Sequence, residues 1–210
     1  MRVAVIGSTG RTGALVVTQA LARHHEVVAV ARAAKLDAGT TGLVSASGDV
    51  LDPGSLTTAL AGADAVVSAI GIGTSRNPTV VYSQGTANIL QAMRTLRIRK
   101  LTLISAAPVG PRNQLPLAQR RLIMPILERV FGATYDDMRR MEAELEASAL
   151  DWVALRPPRL LDKPARGGYR IAAEQALPKA NSITYADLAA ALIDCLDRDD
   201  LYQRAVSIAN

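Results

Sequence analysis

Short apolar runs alternate with stretches of helical period from the first residue to about residue 156. Residues 3–6, 26–31, 43–46, 65–69, 101–105 and 152–155 read as strands, and residues 10–22, 55–60, 79–96 and 134–148 as helices. Within 79–96, Val81, Gly85, Ile89, Met93 and Leu96 recur every three or four positions and so share one helix face. Strands alternating with helices need crossover connections, and such connections build a parallel sheet. The pattern predicts an α/β fold, a single doubly wound parallel sheet of Rossmann type with helices on both faces and a small, loop-rich C-terminal region.

Beyond residue 156 the pattern changes. Pro157-Pro158, Pro164 and Gly167-Gly168 mark irregular chain. A last helix is predicted near Thr184, where Thr184-x-x-Asp187 has the spacing of a capping box. Its apolar face is Leu188, Ala191, Leu192, Cys195 and Leu196, and residues 205–208 suit an added edge strand. Segment 109–132 stands apart: Arg112, Arg120, Arg121 and Arg129 lie among Leu115, Leu117, Leu122, Ile123, Met124, Ile126 and Leu127, and Pro125 is expected to break any long helix. It reads as an amphipathic connector on the sheet edge, the alternative being a lid over a ligand or a subunit contact. No tandem repeat or low-complexity linker divides the chain, so residues 1–210 are expected to form one domain, with 157–210 on its substrate side.

Composition narrows the class. Of 210 residues, 49% are hydrophobic and 20% charged, which suits a folded globular chain and excludes a disordered one. The single cysteine, Cys195, excludes a disulfide scaffold. No apolar run approaches the roughly 18 residues needed to span a bilayer. Met1-Arg2-Val3-Ala4-Val5-Ile6-Gly7 reads as a strand running into glycine and not as a cleavable leader, so a soluble, cytoplasmic protein without a membrane partner is expected. The net charge of +5 comes from 24 basic residues, mostly Arg and scattered, against 19 acidic ones. Aromatics are only 3%, too few to stack bases along a basic stripe, so no nucleic-acid partner is expected.

The strongest local signal is Gly7-Ser8-Thr9-Gly10-Arg11-Thr12-Gly13, between the first strand and the first helix. Glycine leaves room for a phosphate to approach the backbone, and a helix N-terminus offers free N–H groups with about half a positive charge. Thr9 and Thr12 add hydroxyls and Arg11 a charge. The alternative is a tight glycine turn that holds no ligand; the strand-turn-helix context favours the anion site. Strand two ends at Arg32, followed by Ala33, Ala34 and Lys35, with no carboxylate before Asp37. In a dinucleotide fold an acid here would bind a ribose 2′-hydroxyl, whereas arginine attracts a 2′-phosphate, which favours NADP(H) over NAD(H). Asp49 is placed to accept from an adenine amino group with Val50 against the ring, because Asp52-Pro53 is the better helix cap. Ala69, Ile70 and Gly71, then Ile72 and Gly73, are small or apolar residues after strand four, where backbone must lie against a cofactor. Ser105 closes strand five.

These residues resemble the short-chain dehydrogenase/reductase superfamily in its divergent NAD(P)H-binding branch. The resemblance rests on the 7–13 loop, Gly48-Asp49-Val50, the helix Tyr82-Ser83-Gln84-Gly85-Thr86-Ala87-Asn88-Ile89, and Leu150-Asp151-Trp152-Val153-Ala154-Leu155-Arg156-Pro157-Pro158. Within that branch, Asn77-Pro78-Thr79-Val80-Val81, Asp136-Asp137-Met138-Arg139 and the double proline are similar to the flavin reductase/biliverdin-IXβ reductase group. The resemblance implies that Gly7, Thr9, Gly10, Arg11 and Thr12 hold a pyrophosphate, Arg32 a 2′-phosphate, and Asp49 and Val50 the adenine. It places the nicotinamide near Ser105 and Pro157, beside a pocket for an aromatic acceptor.

The superfamily's Tyr-x-x-x-Lys pair is replaced. Aligned through Glu142 and Trp152, its positions carry Thr134 and Met138, while Tyr135-x-x-x-Arg139 has the spacing one residue out of phase, a rotation of about 100° on a helix. The candidate catalytic residues are therefore Ser105 and, less readily, Tyr135. His24-His25 is expected at the surface, Cys195 buried and inert, and Asp136-Asp137 as a helix cap. No spaced Cys/His set suggests a metal. The leading expectation is an NADPH-dependent reductase of a flavin or another conjugated, quinone-like acceptor, monomeric or homodimeric. Its rivals are a non-catalytic NADP(H) sensor and an epimerase or isomerase of the same fold.

Overall fold

The computed structural model describes residues 1–33, 39–73, 75, 77–111, 113, 117, 119–173 and 177–210. Ala34, Lys35 and Asp37 after strand two, and Arg112 and Leu115 of the connector, lie outside the described residues.

Strands β1 (Arg2–Ile6), β2 (Glu26–Ala31), β3 (Leu43–Ser47), β4 (Ala65–Ser68), β5 (Lys100–Ile104) and β6 (Asp151–Arg156) lie parallel in the order β3-β2-β1-β4-β5-β6. Alternation along each strand divides the core in two. Val3, Val5, Val27, Ala29, Ala65 and Val67 face helices α1 (Arg11–Ala22) and α5 (Tyr185–Asp194). Ala4, Ile6, Val28, Val30 and Val66 face α2 (Pro53–Ala59), α3 (Ser83–Leu96) and α4 (Met124–Glu146). Burial on both faces is why β1, β2 and β4 read as unbroken apolar runs, whereas β3 at the edge is largely exposed. The expected doubly wound sheet is the observed one.

Several boundaries move for identifiable reasons. The segment 79–96 becomes helical only from Ser83, because Pro78 precedes it and the Val81 amide donates to Thr79 Oγ1 at 3.1 Å, a local bond that competes with helix. The fourth helix starts ten residues earlier than 134–148 predicts. Pro125 sits in its first turn, where a missing N–H leaves no helical bond unmade, so proline opens this helix and does not break it. A π turn, Gln119–Ile123, leads into it. The later part of the supposed connector, from the π turn into α4, is thus helical, with Leu122 and Ile126 exposed.

The loop-rich stretch holds three short strands that the pattern does not reveal: β7 (Arg159–Leu161), β8 (Arg170–Ala172) and β9 (Ser182–Thr184). β7 pairs with β9 as a small second sheet. The last strand, β10 (Arg204–Ala209), is not an edge. It runs parallel to β6 on one side and antiparallel to β8 on the other, so β8 takes the edge.

Two helix caps follow the expected chemistry. Asp52 accepts from the Gly54 and Ser55 amides with Pro53 at the first helical position of α2. Thr184 caps α5, accepting from the Asp187 amide at 3.0 Å.

Candidate functional site

The site begins where β1 ends. Gly7 has φ +76°, and a Cβ on it would lie 2.7 Å from the Ala69 carbonyl oxygen. A Cβ on Gly13 would lie 2.1 Å from the Gly7 oxygen. The protein's own backbone therefore requires both glycines: one turns the chain past β4, the other lets α1 rest on that turn. The turn is tied to β2, with the Gly7 and Ser8 amides and the Ser8 hydroxyl all donating to the Val30 carbonyl. Gly10 is the N-cap of α1, its side-chain position is empty of any capping acceptor, and no acidic residue lies in the first turn. The first-turn N–H groups and the positive end of the helix dipole are thereby left to an outside anion. The residues present fit a diphosphate.

From this turn a cleft of about 1030 Å³ runs along the carboxyl ends of β1 through β6. One end holds Arg32 and Asp49, exposed guanidinium and half-buried carboxylate, with Val50 beside them. Ala69, Ile70, Gly71, Ile72 and Gly73 form the middle. The far end is mostly apolar: Val81, Ile104, Ala106, Met138, Pro157, Pro158 and Leu160, with Tyr82 and Ser105 among them.

Each expected residue has a definite place. Thr9, Gly10, Arg11 and Thr12 line the cleft, Thr12 nearly buried. The Arg11 guanidinium leans over the Tyr185 ring at 5.8 Å and lies 3.5 Å from Asp162, an exposed pair of little strength. Asp49 lines the cleft too, yet it is not wholly free. Its Oδ1 accepts from the Leu51 amide at 3.0 Å. Val50 is clamped by α3, where Asn88 Nδ2 donates to its carbonyl at 2.8 Å and a Cβ on Gly85 would come within 3.1 Å of Val50 Cγ2.

The two catalytic candidates fare differently. Ser105 reaches the cleft floor, but its hydroxyl donates to Glu142 Oε1 at 2.6 Å inside the protein. Tyr135 does not line the cleft. It packs against the core beside Phe131, ring centroids 6.1 Å apart, and burial with the nearby Glu128 pushes its phenol above the ordinary value. The one-residue phase shift explains this, since Met138 takes the cleft-facing position and Thr134, one turn earlier, is buried. Arg139 is occupied by Glu128 at 2.6 Å and Asp136 at 2.7 Å.

Three groups hold this geometry in roles the sequence reading did not give them: Glu142 and Tyr82 had none at the site, and Asp137 was expected to cap its own helix. Glu142 joins Ser105 to Arg156. Asp137, fully buried within α4, accepts from the Tyr82 amide at 2.9 Å and from the Ser83 hydroxyl, so it caps α3 and not its own helix. The Tyr82 hydroxyl accepts from the Ile72 amide at 3.4 Å on the cleft wall. The sequence signal for the burial of the two acids was their place at helical spacing among Met138, Met141 and Leu145.

A parallel sheet in this order, with a glycine turn delivering an uncapped helix end to a cleft at its carboxyl edge, defines a dinucleotide-binding protein. The chain belongs to the NAD(P)H-binding family, whose sequence model matches residues 7–199. Solved structures agree in fold. An oxidoreductase from Lactococcus lactis is 20% identical with a TM-score of 0.80, over 100% of this chain and 91% of its own. A short-chain dehydrogenase/reductase from Veillonella parvula, solved in complex with NADP, is 16% identical with a TM-score of 0.81, over 100% and 94%. A suspected NADH-flavin reductase from Streptococcus pneumoniae is 21% identical with a TM-score of 0.80, over 100% and 99%. At such identities the likeness is one of fold alone. No helix among the described residues is long and apolar enough to cross a membrane.

Proposed function

We propose that this protein is an NADPH-dependent reductase of an uncharged, conjugated acceptor such as a flavin ring or a quinone. The observation that carries the reading is the polarity of the cleft: cationic and amide-rich from Arg32 to Thr12, apolar from Val81 to Leu160. Arg32 is exposed, and no carboxylate pairs with it among the described residues, which leaves it to a 2′-phosphate. Thr9, Gly10 and Thr12 bind the diphosphate, with Arg11 exchanging Asp162 for it, while Asp49 and Val50 hold the adenine.

When bound, the reduced nicotinamide supplies a hydride. The chain's own part is to bind, orient and exclude water. Met138, Pro157, Pro158 and Leu160 offer surfaces on which a flat ring stacks. Neither Ser105 nor Tyr135 gives up a proton here: one hydroxyl is engaged by Glu142, the other lies outside the cleft. In this reading solvent protonates the product, which suits acceptors whose reduced form takes protons readily and disfavours an epimerase; of the remaining hydroxyl-bearing rings, Tyr82 and Tyr185 also line the cleft. The loss of both predicted catalytic candidates supports a second reading, a protein that binds NADP(H) and reports it to a partner. In both readings residues 1–210 act as one domain.

Mixing the protein with NADPH and riboflavin, FMN or a soluble quinone, and following the nicotinamide absorbance, separates the two. Turnover of an acceptor supports the reductase. Tight NADPH binding with no turnover of any of them supports the sensor.

A further inference from the structure

Glu142 is buried among the apolar residues of α4, yet its carboxylate accepts three hydrogen bonds. Its Oε1 accepts from Ser105 Oγ at 2.6 Å and from Arg156 Nε at 2.9 Å, and its Oε2 accepts from Arg156 Nη2. Ser105 directly follows β5, and Arg156 is the last residue of β6, immediately before Pro157-Pro158. Two backbone bonds join the same strand ends, Ser105 N to the Leu155 carbonyl at 2.7 Å and Ala107 N to the Pro157 carbonyl at 2.9 Å.

A buried ion pair adds little stability compared with apolar residues of the same volume, so stability alone does not account for one in this wall. What it does supply is direction. The planar Arg156 fork admits one bidentate arrangement with a carboxylate, and that fixes where β6 releases the chain into the double proline. The Ser105 proton points at Glu142, so its oxygen keeps only lone pairs for a group in the cleft.

We propose that Glu142 is the positioning residue for the apolar end of the cleft, clamping the ends of β5 and β6 so that Ser105 and Pro157 form a fixed seat for the nicotinamide half of the coenzyme. This rests on the reading of the cleft as an NADPH site. The clamp acts on one end alone, since Arg32, Asp49 and the glycine turn belong to β1, β2 and β3 on the other side of β4.

The test compares two ligands by calorimetry: NADPH, which fills both ends, and adenosine 2′,5′-bisphosphate, which fills only the Arg32 end. In Glu142→Gln, NADPH is expected to bind about tenfold more weakly or worse, with the bisphosphate within about twofold of the wild type. Ser105→Ala, which removes one arm of the clamp and a single atom, is expected to shift NADPH in the same direction by less, again sparing the bisphosphate. If Glu142→Gln does not fold, as a melting curve will show, Ser105→Ala decides by the same criterion. Equal weakening of both ligands would mean general loosening and would overturn the proposal, as would no change in either. Failure of the wild type to bind NADPH at all would overturn the coenzyme reading itself, a result distinct from either.

Discussion

On the proposed reading Arg32 sets coenzyme choice through charge alone, because its guanidinium stands exposed at the end of β2 with its backbone carbonyl held by the Ser47 hydroxyl at 3.2 Å. Arg32→Asp should weaken NADPH by about 1.5–3 kcal/mol, the size of a charge-assisted contact, and leave NADH nearly unchanged. Titration of both coenzymes checks this, and equal losses would dismiss the 2′-phosphate assignment. Cys195 is the opposite case, a side chain without an outlet. Burial pushes its thiol up to about 12, so a maleimide at mildly alkaline pH should leave it intact in the folded protein and label it in urea. The positions of both residues were legible in the sequence because they are set locally: one follows a strand, the other lies on a helix's apolar face. Gly7 and Gly13 were legible as a motif but for an incomplete reason, since backbone packing between β1, β4 and α1 demands them before any phosphate does.

At the scale of elements, helix and strand identity followed from periodicity, whereas start points depended on neighbours distant in sequence. No pattern within 79–96 announces that the cap of α3 arrives from α4. The Asp137 carboxylate, which also meets Arg140 at 3.1 Å, supplies what a residue at the N-cap of α3 would otherwise provide. Asp137→Asn removes the charge and one acceptor oxygen, and should cost about 1–3 kcal/mol in urea unfolding with the denaturant slope unchanged. A loss near zero would show that solvent satisfies the α3 terminus instead. Tyr135 teaches the same lesson in reverse. Its motif spacing is right, yet its phase on α4 sends it to the core side, and in the sequence that phase shows only when the chain is aligned through Glu142 and Trp152.

For the molecule as a whole, the C-terminal part closes around another buried acid. Burial alone would push the Asp187 carboxyl up. The Arg166 amide, the Thr184 hydroxyl, the Asn210 side chain and the Gly167 amide donate to it and outweigh that effect, holding it below the ordinary value. A carboxyl lowered on folding lends stability in full above its unfolded pKa of about 3.9 and loses it as pH falls through the folded value. Urea midpoints measured down into acid should therefore drop below about pH 4, and Asp187→Asn should flatten that drop while leaving the slope near neutrality alone. This closure was the least legible part of the chain. β7, β8 and β9 are three residues each, too short for periodicity to register, and they are fixed by pairing with segments far along the sequence.

The interior position of β10 has a consequence for synthesis. The ribosome delivers residues 151–172 some thirty residues before residues 204–209, so β6 emerges with its outer edge bare and β8 emerges with nothing to join. Until the missing strand slides between them, Trp152 through Leu155 offer an unpaired apolar ribbon to any passing polypeptide. A nascent chain stalled before residue 204 would hold a nearly finished coenzyme end and a sticky flank, which makes that interval the one in which a chaperone matters most.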